Sequence, residues 1–344
     1  MEGNFRNRVQ SSVQEKRHNL EIWIETASQT EKACCLEDAG EQAVIEQLAV
    51  LDQTLDKTTS GTLGVCAICH GHVDESILAI DYTATVCLDC LSEDERRHLE
   101  SELEFSSEIQ RALLPQQAPD IPGLDIAAYS RPAQIVGGDY FDFFRFNEGT
   151  HGLVVADVSG HGFSSSLLMS SLQTALHTLV SDNHSVTEVI QRINHYYLHN
   201  VNLTTFITIF LAQYDPKQQV LTYCNAGHNP PILLQRRTNG NNSITLLRPT
   251  AAAVGLVDEY KVRSEQVTLQ PDDILLLYTD GVIEMTGSGQ EEFGLDRLTR
   301  LVVENAGLSA HDMVSLVRNE VDKFSAGKPP ADDLTMVAGR VLAQ

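Results

Sequence analysis

Four acidic stations set against apolar runs constrain this chain more than any other feature. Ala156-Asp157-Val158-Ser159-Gly160-His161-Gly162 follows the apolar run Gly152-Leu153-Val154-Val155 and leads into an apolar-periodic segment from Phe163 to Val180. That order reads as strand, tight turn, helix. Gly137-Gly138-Asp139-Tyr140-Phe141-Asp142 is a second station, and Tyr278-Thr279-Asp280-Gly281, after the run Ile274 to Leu277, is a third. Asp332-Asp333-Leu334-Thr335, before Met336-Val337-Ala338, is the fourth. One Asp-Gly pair after a strand is ordinarily a turn. Four stations in one segment of domain length point instead to aspartates held at strand ends beside glycines. Carboxylates so placed can converge on hard cations, which take oxygen ligands.

In chain order, GGDYFD, ADVSGHG, NAGHNPP (Asn225 to Pro231), YTDGVIE (ending at Glu284) and DDLTM resemble the motifs of the metal-dependent PPM-type serine/threonine phosphatases, in particular the bacterial SpoIIE/RsbU branch. Ala112-Leu113-Leu114-Pro115 is similar to the way that branch begins, so the likeness covers about residues 105–344. The resemblance implies a phosphoserine/phosphothreonine protein phosphatase of α/β class. Its fold would be a β-sandwich of two mostly antiparallel sheets with helices outside. Hydrolysis of a phosphomonoester by such a centre uses two divalent ions about 3.5–4 Å apart and a bridging water of lowered pKa. Asp157 maps onto the bridging aspartate and the carbonyl of Val158 onto a ligand of one ion. Asp280 and Asp332 map onto ligands of the other ion, and Asp139 onto a ligand or water-anchoring carboxylate. Asp157 and Asp280 are thus the residues on which catalysis turns, Asp333 supports the ligands from outside, and Asp142 is a further candidate for which a structural role is the simpler reading. Oxygen ligands suit Mn2+ or Mg2+ better than Zn2+, which prefers nitrogen and sulfur.

Eukaryotic-type members carry Asp-Gly-His, but Ser159 stands at that histidine's place here. His161 is a substitute proton donor, and both it and His228 read more simply as structural hydrogen-bonding groups. Arg131 is the nearest candidate to grip phosphate. Cys224 lies in an apolar strand pattern, and no Cys-x5-Arg loop supports a cysteine nucleophile.

Cys66-Ala67-Ile68-Cys69 and Cys87-Leu88-Asp89-Cys90, seventeen residues apart, can supply four thiolates to one structural Zn2+. Two disulfides are the alternative, which a cytoplasmic chain would not favour. His70 and His72 read as surface residues rather than ligands. Gly61 to Cys66, Leu78-Ala79 and Val86 to Cys90 resemble the DksA/TraR zinc-finger family, in which a helical hairpin with an acidic tip precedes the finger. Val9, Val13, Leu20, Trp23 and Ile24, then Val44, Leu48, Leu51 and Leu55, approximate a helical pair broken near Gly40, with Cys34-Cys35 as reduced thiols between them. Asp38-Ala39-Gly40-Glu41 has the spacing of that tip, with Glu41 where the family has a second Asp.

The expected organisation is a helical hairpin over residues 1–60, a zinc finger over 61–91, a connector helix over 92–116 and a phosphatase domain over 117–344. Ser92 and Glu95 form a capping-box pattern at the connector's start. Periodicity predicts strands at Leu124–Tyr129, Tyr140–Phe146, Leu153–Val158, Phe206–Tyr214, Val220–Asn225, Pro231–Gln235, Val262–Leu269, Ile274–Tyr278 and Leu334–Val341. It predicts helices at Phe163–Ser181, Val186–Asn200, Leu295–Asn305 and Ala310–Phe324.

A net charge of −23 argues against binding nucleic-acid phosphates. No apolar run of 18 or more residues suggests a membrane span, and Met1-Glu2-Gly3-Asn4-Phe5-Arg6 opens no signal peptide, so a cytoplasmic setting is the default. By resemblance the partner is a phosphorylated protein, an anti-sigma-factor antagonist in partner-switching signalling, with the N-terminal module as regulator. A homodimer through the N-terminal or connector helices is also expected. The alternatives are a catalytically silent PPM-fold binding protein and a DksA-like transcription regulator.

Overall fold

The computed structural model describes residues 9–10, 13–14, 17–18, 21–22, 24, 40–73, 78, 84–147, 149–160, 162–181, 185–200, 205–236, 242–258, 260–289 and 291–343. Leu20, Trp23, Cys34-Cys35, the tip residues Asp38-Ala39 and His161 lie outside the described residues. The chain divides into two compact units, residues 1–101 and 102–344. Among the described residues no helix is long and apolar enough to cross a membrane.

In the first unit, helix α1 (Gly40–Ser60) begins at the glycine read as a breaker. Val9 and Val13 pack with Leu51, Leu55 and Leu63, and Arg17 pairs with Asp52. A second small core gathers Cys66, Val73, Leu78 and Cys87. Helix α2 (Glu93–Leu113) starts where Ser92 and Glu95 cap each other: Ser92 N donates to Glu95 Oε2 at 2.9 Å and Glu95 N to Ser92 Oγ at 3.3 Å.

The second unit is a sandwich of two five-stranded antiparallel sheets. One sheet has the order β1 (Leu124–Arg131), β10 (Leu334–Val341), β9 (Ile274–Tyr278), β6 (Ile232–Gln235), β7 (Ser243–Leu246). The other runs β2 (Asp139–Asn147), β3 (Thr150–Val158), β4 (Ile207–Asp215), β5 (Val220–Ala226), β8 (Glu265–Thr268). Helices α3 (Phe163–Ser181) and α4 (Val186–Asn200) cover the second sheet. Helices α6 (Leu295–Glu304) and α7 (Ala310–Ser325) cover the first, and a four-residue helix α5 (Asp280–Ile283) follows β9.

Three apolar layers follow from the period-two alternation of strands. In β3, Val154, Ala156 and Val158 face the helices while Leu153 and Val155 face the opposite sheet. A strand apolar on both faces must be buried on both, which is why β3 and β9 read as continuous hydrophobic runs. On α3, Met169, Leu172, Leu176 and Val180 recur at helical spacing and are buried against the sheet. Full burial of each side chain of this size contributes about 1.5–3 kcal/mol. The sandwich expected from the motifs is the fold observed. The predicted strand Val262–Leu269 is shorter than expected, Glu265–Thr268, and β7 has no counterpart in the prediction.

Candidate active site

The acidic stations meet at one end of the space between the sheets. Asp139 opens β2 and Asp157 is the penultimate residue of β3, and the two are direct cross-strand partners. Both share the face of their strands that carries Phe141, Leu153 and Val155 into the inter-sheet core. From the other sheet, Asp280 opens α5 directly after β9, while Asp332 and Asp333 lead into β10. Neighbouring strands β9 and β10 therefore deliver their carboxylates to the same end as β2 and β3.

Close backbone approach builds this end. The Asp333 carboxylate accepts from Ala133 N at 2.7 Å through Oδ1 and from Gly138 N at 2.6 Å through Oδ2, with Asp139 N at 3.4 Å. Both its oxygens are thus engaged in holding the loop that presents Asp139. A Cβ on Gly138 would lie 2.8 Å from the carbonyl oxygen of Val158, so only glycine lets the two turns pass. Ser159 fixes the other turn: its N donates to Phe206 O at 2.9 Å and its Oγ accepts from Phe206 N at 2.9 Å.

Electrostatics identify the cluster as one unit. Burial, then the charges of Asp280, Asp332 and Asp333, push the Asp157 carboxyl up to about 8. Burial, with Asp332 and Glu284 nearby, pushes Asp280 up to about 6. Asp139 is raised well above the usual carboxylate range by burial and by Asp157 and Asp333, an effect the hydroxyls of Thr335 and Thr279 partly offset. Asp333 is raised by burial and held down by its three backbone donors. The charges acting most strongly on Asp157 are all carboxylates. Buried like charges without a cationic partner are costly, and a donor set made only of oxygens suits a hard divalent cation. The arrangement fits Mn2+ or Mg2+.

Other residues singled out in the sequence fall elsewhere. Asp142 lies three residues from Asp139 and so faces α3, where it accepts from Tyr140 Oη at 2.6 Å and Phe143 N at 2.7 Å and meets His177 Nε2 at 2.8 Å. It is not a member of the cluster. His228 is buried, with Nδ1 2.8 Å from Thr208 Oγ1, and burial pushes its pKa down to about 4. Arg131 is engaged by Asp322 at 3.0 Å. Cys224 is fully buried, which raises its thiol to about 11.

Three contributors were not singled out from the sequence. Thr279 Oγ1 donates to Asp139 Oδ2 at 2.8 Å, and Glu284 adds negative charge to Asp157 and Asp280. Gln110 of α2 clasps Gly137, its Nε2 donating to the carbonyl at 2.6 Å and its Oε1 accepting from the N–H at 3.0 Å. Thr279 and Glu284 sit inside the YTDGVIE block, where the aspartate drew attention instead. Gln110 lies two residues before the Ala112-Leu113-Leu114-Pro115 motif, where the apolar residues and the proline drew attention instead.

A separate cluster lies in the first unit. The sulfurs of Cys66, Cys69, Cys87 and Cys90 all lie within 4.8 Å of one another, a spacing that no other group of three or more such ligands reaches among the described residues, the aspartates included. Cys69 Sγ and Cys87 Sγ are 3.6 Å apart, far beyond a disulfide and close to the ~3.8 Å edge of a tetrahedron of thiolates around zinc. Cys66 Sγ accepts from Cys87 N at 3.4 Å and Ile68 N at 3.5 Å. Backbone donation, led by Cys69, brings the Cys66 thiol down to about 6, while the neighbouring Cys87 thiol pushes Cys90 up to about 12. His70 and His72 are exposed beside the cluster and outside it.

Comparison with known proteins agrees with the sandwich fold. RsbU of Bacillus subtilis, a phosphoserine phosphatase, is 29% identical over 247 residues, which cover 71% of this chain and 71% of RsbU. RsbP of the same organism, also a phosphoserine phosphatase, is 28% identical over 192 residues, covering 54% of this chain and 46% of RsbP. The SiaA-PP2C domain of Pseudomonas aeruginosa superposes with a TM-score of 0.62 at 20% identity, covering 72% of this chain and 98% of that domain, and so shares the fold. The sequence profile of Stage II sporulation protein E (SpoIIE) matches residues 147–342, more than half of the chain and most of the sandwich. With that match the chain belongs to the SpoIIE family, and it shares its sandwich fold with the SiaA-PP2C domain.

Proposed function

We propose that the protein is a metal-dependent phosphoserine/phosphothreonine phosphatase whose centre is the carboxylate cluster at the ends of β2, β3, β9 and β10. The observation that carries this reading is the meeting of carboxylates from both sheets, Asp139 and Asp333 buried and Asp157 and Asp280 half-buried, with no cationic side chain among their strongest neighbours. Asp139, Asp157, Asp280, Asp332 and the carbonyl of Val158 are the groups that would hold Mn2+ or Mg2+. When bound, two such ions supply Lewis acidity toward the phosphoryl oxygens and a water of lowered pKa. The chain itself keeps the ligands in place: Asp333 anchors the 133–139 loop, and Ser159 ties the turn after Asp157 to Phe206. Asp333 acts as a positioning group because its oxygens are already taken by backbone donors.

The likeness to RsbU and RsbP supports a phosphorylated protein as substrate, and we assign it to the anti-sigma-factor antagonists of partner-switching signalling. The four cysteines would hold one structural Zn2+, in keeping with their spacing. On this reading residues 1–60 form the hairpin, 61–91 the finger, 92–116 the connector and 117–344 the phosphatase. The N-terminal module regulates the enzyme, the N-terminal or connector helices mediate a homodimer, and the setting is cytoplasmic.

Hydrolysis of a small aryl phosphate with and without Mn2+ tests the core of the reading in wild type, Asp157→Asn and Asp280→Asn. A loss of at least ~100-fold is expected in both variants, the scale of removing a principal electrostatic stabiliser. Metal-dependent turnover near the wild-type rate in either variant would sink the assignment. Zinc content and turnover of Cys66→Ser/Cys87→Ser test the regulatory part, which fails if zinc is lost while activity and oligomeric state stay unchanged.

A further inference from the structure

We propose that Thr279 is a positioning residue of the metal centre: its hydroxyl holds the Asp139 carboxylate of one sheet against the β9–β10 pair of the other. The inference rests on the reading of Asp139 as a metal ligand.

A threonine hydroxyl has one proton to give and lone pairs to receive. Thr335 N donates to Thr279 Oγ1 at 3.0 Å, which occupies a lone pair. Three oxygens lie within reach of the proton: Asp139 Oδ2 at 2.8 Å, Asp333 O at 3.4 Å and Thr335 O at 3.4 Å. The nearest is the carboxylate oxygen, at ordinary hydrogen-bond length, while the two carbonyls lie 0.6 Å farther out. The proton therefore belongs to Asp139. Thr279 is fully buried, so water does not compete for the contact.

The position of Thr279 excludes the commonest bland role for its hydroxyl. It is the N-cap residue of α5, where a threonine side chain usually accepts from the helix's first N–H groups. Here the side chain makes no capping bond. The hydroxyl is turned from the helix toward the carboxylate instead, and the backbone is pinned independently by Thr279 N donating to Thr335 O at 3.0 Å. A β-branched side chain has few χ1 options, so the pinned backbone fixes the oxygen as well. One residue thus joins three stations: it precedes Asp280, pairs with the strand that follows Asp333, and donates to Asp139.

The prediction is tested by titrating Mn2+ into full-length wild type, Thr279→Val and Thr279→Ser, following binding by calorimetry, with metal-free thermal unfolding measured alongside. Valine keeps the shape and removes the hydroxyl, so the apparent Mn2+ affinity is expected to fall by about 10–100-fold, the usual effect of losing a partner of a metal ligand. Serine should restore affinity to within about threefold of wild type. If Thr279→Val fails to fold, Thr279→Ala carries the same comparison. A hydroxyl-free variant that is less stable but binds Mn2+ with wild-type affinity would overturn the inference, because the hydroxyl would then serve the strands alone. Wild-type protein that takes up no Mn2+ would overturn the metal reading itself, and this inference with it.

Discussion

Gly281 marks how tightly the acidic stations are joined, because a Cβ there would overlap the backbone carbonyl of Asp333. The obstacle is main chain, which cannot swing aside as a side chain would. Gly281→Ala is expected to cost about 1–3 kcal/mol of stability, the range for overpacking a filled interior. It should also lower turnover of an aryl phosphate by at least ~10-fold, since small misplacements of catalytic groups are costly. Activity and melting temperature measured together test this, and wild-type turnover in the alanine variant would show that the close approach is incidental. Asp333→Asn makes a related point. Its carboxylate accepts at both oxygens, from Ala133 N and Gly138 N, but an amide can accept at only one. One buried N–H would lose its partner, at a cost of about 1–3 kcal/mol. A melting temperature unchanged from wild type would refute that accounting. Strand geometry is what separates Asp139 from Asp142: three positions along a strand reverse the face, so one points between the sheets and the other toward α3.

Helix α2 bears on the loop that presents Asp139 through the side chain of Gln110. Gln110 is buried and makes two reciprocal bonds to Gly137, two residues before Asp139. Gln110→Ala leaves a buried N–H and a buried C=O unpaired, and each is expected to cost about 1–3 kcal/mol. The loop that carries Asp139 is the part that should loosen, so Mn2+-dependent turnover should fall by more than the loss in melting temperature explains. Hydrogen exchange localised to residues 133–139 would register the loosening, and protection equal to wild type would refute it. Elements with strong periodicity were legible in the sequence: α3 and α4 span Phe163–Ser181 and Val186–Asn200 as predicted, and β9 and β10 span Ile274–Tyr278 and Leu334–Val341. Strand β7 was not, because it is an edge strand whose residues Ser243, Ile244 and Thr245 are exposed, leaving no buried face to create alternation. The carboxylates were legible because aspartate beside glycine at a strand end is a distinctive pattern. Gln110 and Thr279 were not, because their roles depend on which distant backbone or carboxylate the fold brings to them.

At the scale of the whole sandwich, His228 lies where the two sheets come together. Its Nδ1 is 2.8 Å from Thr208 Oγ1 on β4, and the backbone of Tyr278 on β9 is its other polar neighbour, although Nε2 makes no hydrogen bond. Thr208 is in turn the cross-strand partner of Asp157, so one residue separates the ring from the carboxylate cluster. Burial lowers the histidine to about 4 against an ordinary value near 6.5. Between those values the unfolded chain binds a proton that the folded chain refuses. The stabilisation is therefore complete above about pH 6.5 and is lost as pH falls toward 4, on the order of 3 kcal/mol in total. The raised carboxyls of Asp157 and Asp280 act in the opposite sense in metal-free protein, favouring the fold as they take up protons. Comparison of wild type with His228→Asn removes their contribution, because it is common to both. Urea midpoints of the metal-free proteins between pH 7 and pH 5 should fall more steeply in wild type than in the asparagine variant. Parallel slopes would mean that the interior admits the imidazolium, and that His228 does not join the sheets as a neutral ring.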